Sequence, residues 1–417
     1  MQKLAQRNLN DTNIDLVFLL YWGVLVFWQN VNPGSTGSTA DTLLKTCLIL
    51  FLVAYYLLHT STFSVRALAF VVLFGANMAI SFLAESAITL RNILTYFFPV
   101  AFAFLSLCTG GDLEISQKKL LRFMRIIIGM VLYMALYAVV ATPQKFIGAF
   151  LASGAYGNEL SSFFISNHEY GTYLMAGIAA CIVCIELEKD RSFWKNLLYG
   201  ASLILFFVNL ILTYSRTSML ATALIIAAYV ALNRKSRLVK KVFAVLVTLT
   251  VAVLATPFLR NYFFRFVLKE NNLAGRDDLA DLAMSAFKQG TLWDQIWGRG
   301  ATATSFLLRE ELNRISVHNA YLQILLCFGV MGLLALLVFI MTQLWSNLKL
   351  IKKNRFLGVL FVGLTFACAS TMFTNTAILF SSPIDSFFLT MFTILVPRYV
   401  RKAVLAGTFD AEGKNAD

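Results

Sequence analysis

The chain has 417 residues, of which 59% are hydrophobic and only 14% are charged. Soluble domains carry roughly 25% charged residues, so this composition excludes an ordinary soluble protein and predicts an integral membrane protein. The formal net charge is +13, but the basic residues fall mostly into short clusters between hydrophobic runs. Such clusters mark the cytoplasmic side of a membrane protein, and we therefore expect no nucleic-acid partner.

Apolar runs of about 17–25 residues are the unit that crosses a bilayer as a helix. The polar start of the chain continues into the first such run without a small-residue cleavage site, which predicts a retained signal anchor. Continuous apolar runs without the alternation of a membrane barrel predict an all-α polytopic protein with about twelve transmembrane helices. The predicted spans are 14–31, 42–59, 66–84, 92–109, 123–142, 168–187, 197–214, 217–233, 241–258, 319–343, 356–374 and 384–400.

The distribution of Lys and Arg orients the predicted bundle. With the amino terminus inside, the inner segments hold roughly twice as many of these residues as the outer segments, which is the bias of cytoplasmic loops. Both termini are therefore predicted to be cytoplasmic. A single transmembrane bundle is expected over residues 1–402, followed by a disordered cytoplasmic tail over residues 403–417.

The longest outer segment, residues 259–318, separates the ninth and tenth predicted spans. Long connections are usually functional or disordered, and the Asp pair at 277–278 could cap a helix inside this one. An apolar stripe follows, formed by Leu279, Leu282, Ala283 and Ala286 at helical spacing. Such a stripe predicts either a helix lying flat on the membrane surface or a small helix packed onto the bundle, and the sequence does not separate the two.

The cysteines lie within or at the ends of apolar runs. Cys181-x-x-Cys184 superficially resembles a redox or zinc pair, but inside an apolar run it predicts two small core side chains on one helix. No disulfide and no metal site is expected.

Three basic side chains lie where a site on the outer face would form: Arg216 in a very short turn, Arg276 in the long loop, and His318 where that loop re-enters the membrane. A guanidinium grips phosphate oxygens with paired hydrogen bonds and stays charged at neutral pH. An imidazole can take a proton from a hydroxyl near neutral pH. The set fits glycosyl transfer from a lipid diphosphate. The alternatives are interfacial snorkelling for the arginines and a capping or interfacial role for the histidine.

Other polar residues near the predicted outer face are weaker candidates for substrate contact. Arg299 lies between Gly298 and Gly300, and these glycines would let a ligand approach the backbone closely. His168 and Glu169 lie at the outer end of the sixth span and could face the same cavity, although capping and interfacial roles are the simpler interpretation of both.

Three segments carry a resemblance to a known family: Thr-Tyr-Ser-Arg-Thr at 213–217, Gly-Arg at 275–276, and Val-His-Asn-Ala-Tyr-Leu-Gln at 317–323 with Gly329. Together with twelve spans and one large outer loop, they resemble the O-antigen ligase and Wzy-type polysaccharide polymerase superfamily. The specific motifs occupy only the part of the chain between residues 205 and 335, and the His-Asn-x-Tyr-Leu block is the most specific of them.

The resemblance implies a GT-C-like glycosyltransferase that works on the outer face of the cytoplasmic (inner) membrane. Such enzymes pass a glycan from an undecaprenyl diphosphate carrier to a sugar hydroxyl, without a nucleotide sugar, a metal or another cofactor. It further implies that Arg216 and Arg276 hold the diphosphate and that His318 activates or positions the acceptor hydroxyl. Asn319 and Tyr321, from the same block, are further candidate contacts with the substrate.

The expected function is polymerisation of lipid-linked repeat units into a capsule, an exopolysaccharide or an O-antigen. A ligase that transfers finished polymer to a lipid A core or another acceptor shares this chemistry, and a polysaccharide flippase is the alternative from another class. Transporters tend to show repeated halves, interrupted helices and charges near the midplane, whereas the candidate charges here cluster at the outer surface. The expected partners are the lipid-linked donor, a glycan acceptor, the bilayer, and components of polysaccharide export and chain-length control.

Overall fold

The computed structural model describes residues 14–32, 64–83, 90–108, 114–151, 159–164, 166–189, 192–232, 276–301, 304, 319–374 and 388–409, with isolated positions between 40 and 54. The ordered elements in this part of the chain are helices, and no strand occurs among the described residues. A π-helical turn at Met391–Leu395 leads into the last helix. The helices are α1 Ile14–Val31, α2 Val65–Leu83, α3 Leu90–Leu107, α4 Gln117–Val140, α5 Pro143–Leu151, α6 Asn167–Leu187, α7 Phe193–Leu212, α8 Arg216–Leu232, α9 Arg276–Gln289, α10 Leu292–Trp297, α11 Ala320–Ile351, α12 Arg355–Thr374 and α13 Val396–Ala406.

Several helices have the length and composition of membrane spans. Among the described residues, α4, α6, α7, α11 and α12 are both long and apolar enough to cross a bilayer. The predicted class, an all-α polytopic membrane protein, is therefore confirmed. Most predicted spans coincide with described helices to within a few residues, and the span predicted at 14–31 has the bounds of α1. The span predicted at 241–258 and most of the span predicted at 42–59 lie outside the described residues, and the count of twelve stays a prediction.

Helix α6 lies at the centre of the bundle and contacts α4, α7 and α8. Residues 170–181 are all buried, as expected of a helix that is apolar on every face. Gly177 lets the neighbouring helices come close, because a Cβ there would lie 2.8 Å from a methyl carbon of Val131 and 2.9 Å from the ring of Phe206. Cys181 and Cys184, interpreted as small core side chains, are buried on this helix.

An aromatic cluster joins the two ends of the described chain. Trp22 of α1 is fully buried and stacks on Phe388, just before the π-helical turn, with ring centroids 4.4 Å apart. Tyr173 of α6 packs against both, 5.6 Å from the Trp22 ring and 5.1 Å from the Phe388 ring. Aromatic pairs at such distances add stability beyond the area they bury, so the cluster ties the first and last helices to the central one.

Helices α8 and α12 pack side by side and run in opposite directions. Late in α8, the Tyr229 ring lies 5.8 Å from that of Phe356, early in α12. Further back along α8, the backbone of residues 224–228 borders Gly363, whose Cβ would lie 3.3 Å from that of Ala228. Following both helices in this antiparallel register, the start of α8 lies beside the last turns of α12.

The last described residues are folded onto the bundle. The sequence predicts a disordered tail from residue 403, whereas α13 continues to Ala406 and ends at Gly407 in the left-handed conformation (φ 74°). Phe409 is 3% exposed, and its carbonyl accepts a hydrogen bond of 3.1 Å from the Gln117 backbone N–H. The apolar run ends before α13 does, so run length alone places the boundary too early. Residues 410–417 lie outside the described residues.

A charged cluster closes the far end of α6, away from the start of α8. The buried carboxylate of Glu188 pairs with Arg125 at 3.0 Å and with Lys195, and it accepts a hydrogen bond of 2.9 Å from Tyr199. Burial by itself raises the pKa of this carboxyl, but the hydrogen bonds from Lys195 and Tyr199 and the charges of Arg125 and Lys195 outweigh it. The net result is a pKa below the ordinary value, which keeps the cluster ionised and ties α4, α6 and α7 together.

Candidate functional site

Helices α6, α8 and α11 all begin at one end of the bundle. The first turn of α6 contacts the turn that precedes α8. At the start of α11, the Tyr321 hydroxyl donates a hydrogen bond of 2.9 Å to the Ala369 carbonyl, in the last turns of α12 where α8 also begins. The amino end of a helix carries the positive end of its dipole, which favours an anion. This end of the bundle is the candidate site.

Arg216 is the first residue of α8 and is exposed at this end. It follows a tight turn in which Tyr214 adopts a left-handed conformation with φ 53°, and its backbone N–H donates to the Tyr214 carbonyl at 3.1 Å. A non-glycine residue in the left-handed conformation destabilises the fold by about 1–3 kcal/mol, and such conformations cluster at functional sites. The Tyr214 hydroxyl donates to the Ala149 carbonyl of α5, which anchors the turn.

The first turn of α6 holds the same turn from a second side. Asn167 donates from Nδ2 to the Thr213 carbonyl at 2.7 Å, and His168 Nδ1 lies 2.9 Å from Ser215 Oγ. Ser166 caps α6, since its hydroxyl accepts from the His168 backbone N–H at 3.2 Å. His168 therefore lies directly beside the turn that carries Arg216, and its contact with substrate stays a prediction.

The polar atoms of the His-Asn-x-Tyr-Leu block stabilise the start of α11. Asn319 is the N-cap residue, and its side-chain oxygen accepts from the backbone N–H groups of Tyr321 at 3.0 Å and Leu322 at 3.1 Å. Tyr321 reaches across to α12, as described above. Capping and anchoring account for both residues locally, and their predicted contact with substrate stays a prediction.

Of three further predicted site residues, Glu169, Arg276 and His318, the structure describes the side chain of Glu169 only. Glu169 is half-buried in the first turn of α6, where a carboxylate interacts favourably with the helix dipole. Arg276 begins α9, so the Asp pair at 277–278 falls inside the first turn rather than before it. The side chain of Arg276 and the whole of His318 lie outside the described residues, although His318 directly precedes the N-cap of α11.

The helix predicted in the long loop packs down onto the bundle. Leu279, Ala283 and Ala286 of α9 are buried against Leu326 of α11. Asp281, Ser285 and Lys288, on the other faces of α9, are exposed. Of the two interpretations that the apolar stripe left open, packing onto the bundle is therefore the observed one. This contact places α9, which Arg276 begins, beside the first turns of α11.

A clamp of backbone contacts joins the long loop to α11, which is broken at Gly329 (φ 67°, ψ −170°). The break frees the carbonyls of residues 326 and 327, which accept hydrogen bonds of 3.0 Å and 3.1 Å from the N–H groups of Arg299 and Gly300. This close approach of the two backbones requires glycine at position 298 in the loop and at position 329 in α11. A Cβ at Gly298 would lie 2.2 Å from the Cys327 carbonyl oxygen, and one at Gly329 would lie 2.2 Å from that of residue 296.

The guanidinium of Arg299 points to the carboxyl end of α9. Its Nη2 donates to the Ala286 carbonyl in the last turn of α9 at 2.8 Å, and its Nε lies 3.8 Å from a carboxylate oxygen of Asp294. A cation at the carboxyl end of a helix is stabilising. The close approach expected at the flanking glycines is made by the backbone of α11. Contact between Arg299 and a ligand stays a prediction.

Several residues that the sequence does not single out complete the site. Ser215 and Ser218 are buried at the start of α8, with their hydroxyl oxygens 2.9 Å apart. Gly171, one turn into α6, faces them, because a Cβ there would lie 2.5 Å from Ser218 Oγ. The sequence signal that could have indicated this contact is the presence of small residues on both helices, since small residues let membrane helices approach closely.

These features define a polytopic α-helical membrane protein in which Arg216 is exposed at the end of the bundle where α6, α8 and α11 begin. Helix α9 of the long loop packs onto α11. Residues 201–337, from within α7 to within α11, match the family model described as O-Antigen ligase (Wzy_C). The predicted resemblance to the O-antigen ligase and Wzy-type superfamily is thereby confirmed for this part of the chain. Members of the family are glycosyltransferase-like enzymes. No curated protein matches the chain.

Proposed function

We propose that the protein is an integral-membrane glycosyltransferase that polymerises oligosaccharide repeat units carried on undecaprenyl diphosphate. The observation that carries this proposal is the position of Arg216, exposed at the mouth where α6, α8 and α11 begin and inside the matched region. A fixed cation among helix amino ends suits a diphosphate, because both favour negative charge. The product is a cell-surface polysaccharide such as a capsule, an exopolysaccharide or an O-antigen.

In the proposed reaction, Arg216 and Arg276 bind the oxygens of the donor diphosphate. The acceptor hydroxyl attacks the anomeric carbon of the donor sugar and forms the new glycosidic bond, and its proton passes to His318. The bond between that carbon and the diphosphate breaks, and the lipid diphosphate leaves with the electron pair. Paired guanidinium contacts oppose the charge that grows on the leaving group, so the arginines assist departure as well as binding.

A ligase would use the same groups with another acceptor, and it remains the second candidate on chemical grounds. A flippase is favoured by one observation, the break of α11 at Gly329, because transporters often bind substrates at interrupted helices. Here, however, the freed carbonyls accept hydrogen bonds from the N–H groups of Arg299 and Gly300. The break is thus filled by the protein's own backbone, which supports an enzyme over a transporter.

The test is incubation of the purified protein in lipid nanodiscs with a lipid-diphosphate oligosaccharide. A ladder of products, each longer by one repeat unit, is the result expected of a polymerase. A parallel reaction with a lipid A core acceptor distinguishes a ligase, which would make one adduct and no ladder. Movement of the lipid-linked glycan across a sealed vesicle without new glycosidic bonds would favour the flippase.

We place the protein in the cytoplasmic membrane with both termini inside and the site outside. In a background that carries Cys47→Ser, which removes an exposed native thiol, Gln289→Cys on α9 should react with a membrane-impermeant maleimide in intact spheroplasts. Lys353→Cys, in the exposed turn between α11 and α12, should react only after permeabilisation. The reverse pattern would invert the bundle and move the proposed site to the cytoplasmic face.

Two kinds of partner follow from this placement. The donor and acceptor glycans reach the site from the outer leaflet, so the bilayer itself presents the lipid carrier. Components of polysaccharide export and of chain-length control would work on the same face. The gene neighbourhood bears on both proposals, since a flippase and sugar transferases beside this gene would favour the polymerase over the ligase.

A further inference from the structure

Two side chains from the first turn of α6 hold the turn before Arg216 on either side of its strained residue. Asn167 binds the carbonyl of Thr213, and His168 binds the hydroxyl of Ser215. The residue between them, Tyr214, has the left-handed conformation already described. Contacts on both flanks of such a residue determine the path of the chain, and here that path sets the backbone position of Arg216.

The hydroxyl of Ser215 is fully committed to these contacts. It lies 2.9 Å from His168 Nδ1 and 2.9 Å from Ser218 Oγ, and it accepts from the Ser218 backbone N–H at 3.4 Å. A serine hydroxyl has one hydrogen and two lone pairs. With one lone pair taken by the backbone N–H, the oxygen donates to one of its other two partners and accepts from the second. Both arrangements keep the imidazole hydrogen-bonded to the first turn of α8.

The helices are built to permit this contact. Ser215 is fully buried and Ser218 is 2% exposed, so water does not compete for their hydroxyls. Gly171 faces both serines, because a Cβ there would lie 2.8 Å from the Cβ of Ser218 and 3.2 Å from that of Ser215. A larger residue would separate the helices and lengthen the bond between His168 and Ser215. The close approach is therefore a requirement of the hydrogen bond.

We infer that His168 is a positioning residue, which holds Arg216 in place for the donor diphosphate through Ser215. The inference rests on the proposed function, but the residue itself lies on α6, before the matched region 201–337. A flexible guanidinium binds two phosphate oxygens only if its backbone is held to within about half an ångström. His168 acts by hydrogen bonding, so a side chain of the same reach that hydrogen-bonds without titrating should replace it.

The experiment compares His168→Asn, His168→Leu and Ser215→Ala in the nanodisc transfer assay. The amide of Asn places a donor and an acceptor at the distance of Nδ1 from the backbone, whereas Leu fills the space without either. We expect His168→Leu to lower kcat/KM roughly three- to tenfold, the effect of one lost hydrogen bond, mainly through a higher KM for the donor. Ser215→Ala should lower kcat/KM at least as much, because its hydroxyl also contacts Ser218. His168→Asn should stay within about twofold of wild type, within the uncertainty of such a contribution.

The double variant His168→Leu with Ser215→Ala should be no worse than Ser215→Ala alone, because Ser215→Ala already removes the bond to His168 together with the hydroxyl's contacts to Ser218. The matched control is Ser202→Ala, which removes another buried serine hydroxyl, one on α7 that has no hydrogen-bond partner within the described part of the chain, and it should retain wild-type KM. Thermal unfolding of each purified variant separates positioning from loss of the fold.

The outcomes distinguish failure of the proposed function from failure of the positioning role of His168. Wild-type protein that transfers no glycan would refute the proposed function, whereas active wild type with an equally active His168→Leu would refute only the positioning role. If Asn at this position were as damaging as Leu, the imidazole would act directly on substrate, and the inference would be overturned. A raised KM for the donor in Ser202→Ala as well would show a general packing effect and would also overturn the inference.

Discussion

Replacing His318 with alanine is expected to block glycan transfer while leaving the lipid-diphosphate donor bound. General-base assistance is worth about a hundred- to ten-thousandfold in rate, whereas donor affinity is assigned to the arginines. The residue directly precedes Asn319, the N-cap of α11, whose backbone is extended (φ −145°, ψ 110°). In the proposed mechanism, the acceptor arrives at the end of the bundle where this capped helix begins. The measurement pairs donor binding with transfer on the same folded, membrane-inserted preparation.

Two further variants sharpen this result. His318→Gln keeps hydrogen-bonding atoms but cannot take up a proton near neutral pH, so it should be nearly as inactive as His318→Ala. His59→Ala is the control among the three histidines of the chain. This residue ends the predicted second span, 42–59, and with the amino terminus inside that end is predicted to be cytoplasmic. Lost donor binding in His318→Ala would make the histidine a ligand of the diphosphate. Unchanged transfer would reduce it to a structural residue beside the cap, and the proposed mechanism would fail.

The helices could be predicted from the sequence because lipid leaves the backbone no other way to satisfy its hydrogen bonds. An apolar run therefore becomes a helix whatever its neighbours are, and α1 and α6 fall where their runs predict. Ends are harder to predict. Helix α4 begins at Gln117, several residues before its apolar run, because Lys and Arg side chains in its first turns can extend away from the apolar interior while their stems pack against it.

The break in α11 could not be predicted locally. Gly329 is one of many glycines in this chain, and a glycine in an apolar run is compatible with an unbroken helix. Its conformation depends on the segment around Gly298, which approaches it through space and takes the freed hydrogen bonds. Pairs of glycines that require each other in this way are visible only in three dimensions.

The position of Arg216 at a helix start could be predicted from the sequence, but the contacts around it could not. Arg216 stands out in the sequence because a guanidinium in so short a turn between two spans must lie at the membrane surface, where it can meet a lipid headgroup. The contact between His168 and Ser215 joins residues 47 positions apart, and neither helix shows it by itself. The glycines that flank Arg299 suggest ligand approach, but only the structure shows that Gly298 approaches the backbone of α11 and that the Gly300 N–H donates to it.

Arg216→Lys and Arg276→Lys are each expected to lower transfer about ten- to hundredfold, with weaker donor binding, although both keep a positive charge. An ammonium is a point charge that cannot reproduce the planar, paired contacts of a guanidinium with a diphosphate, and losing one charged hydrogen-bonding pair costs about 1.5–3 kcal/mol.

The control is Arg355→Lys, since Arg355 is also exposed and also begins a helix, α12, but at the opposite end of the bundle. Its activity should match wild type. Because the charge is conserved in all three variants, membrane orientation should not change, and a difference between them reports guanidinium geometry. Full polymer from both Lys variants at the mouth would leave these arginines as interfacial anchors and would require another cation for the diphosphate.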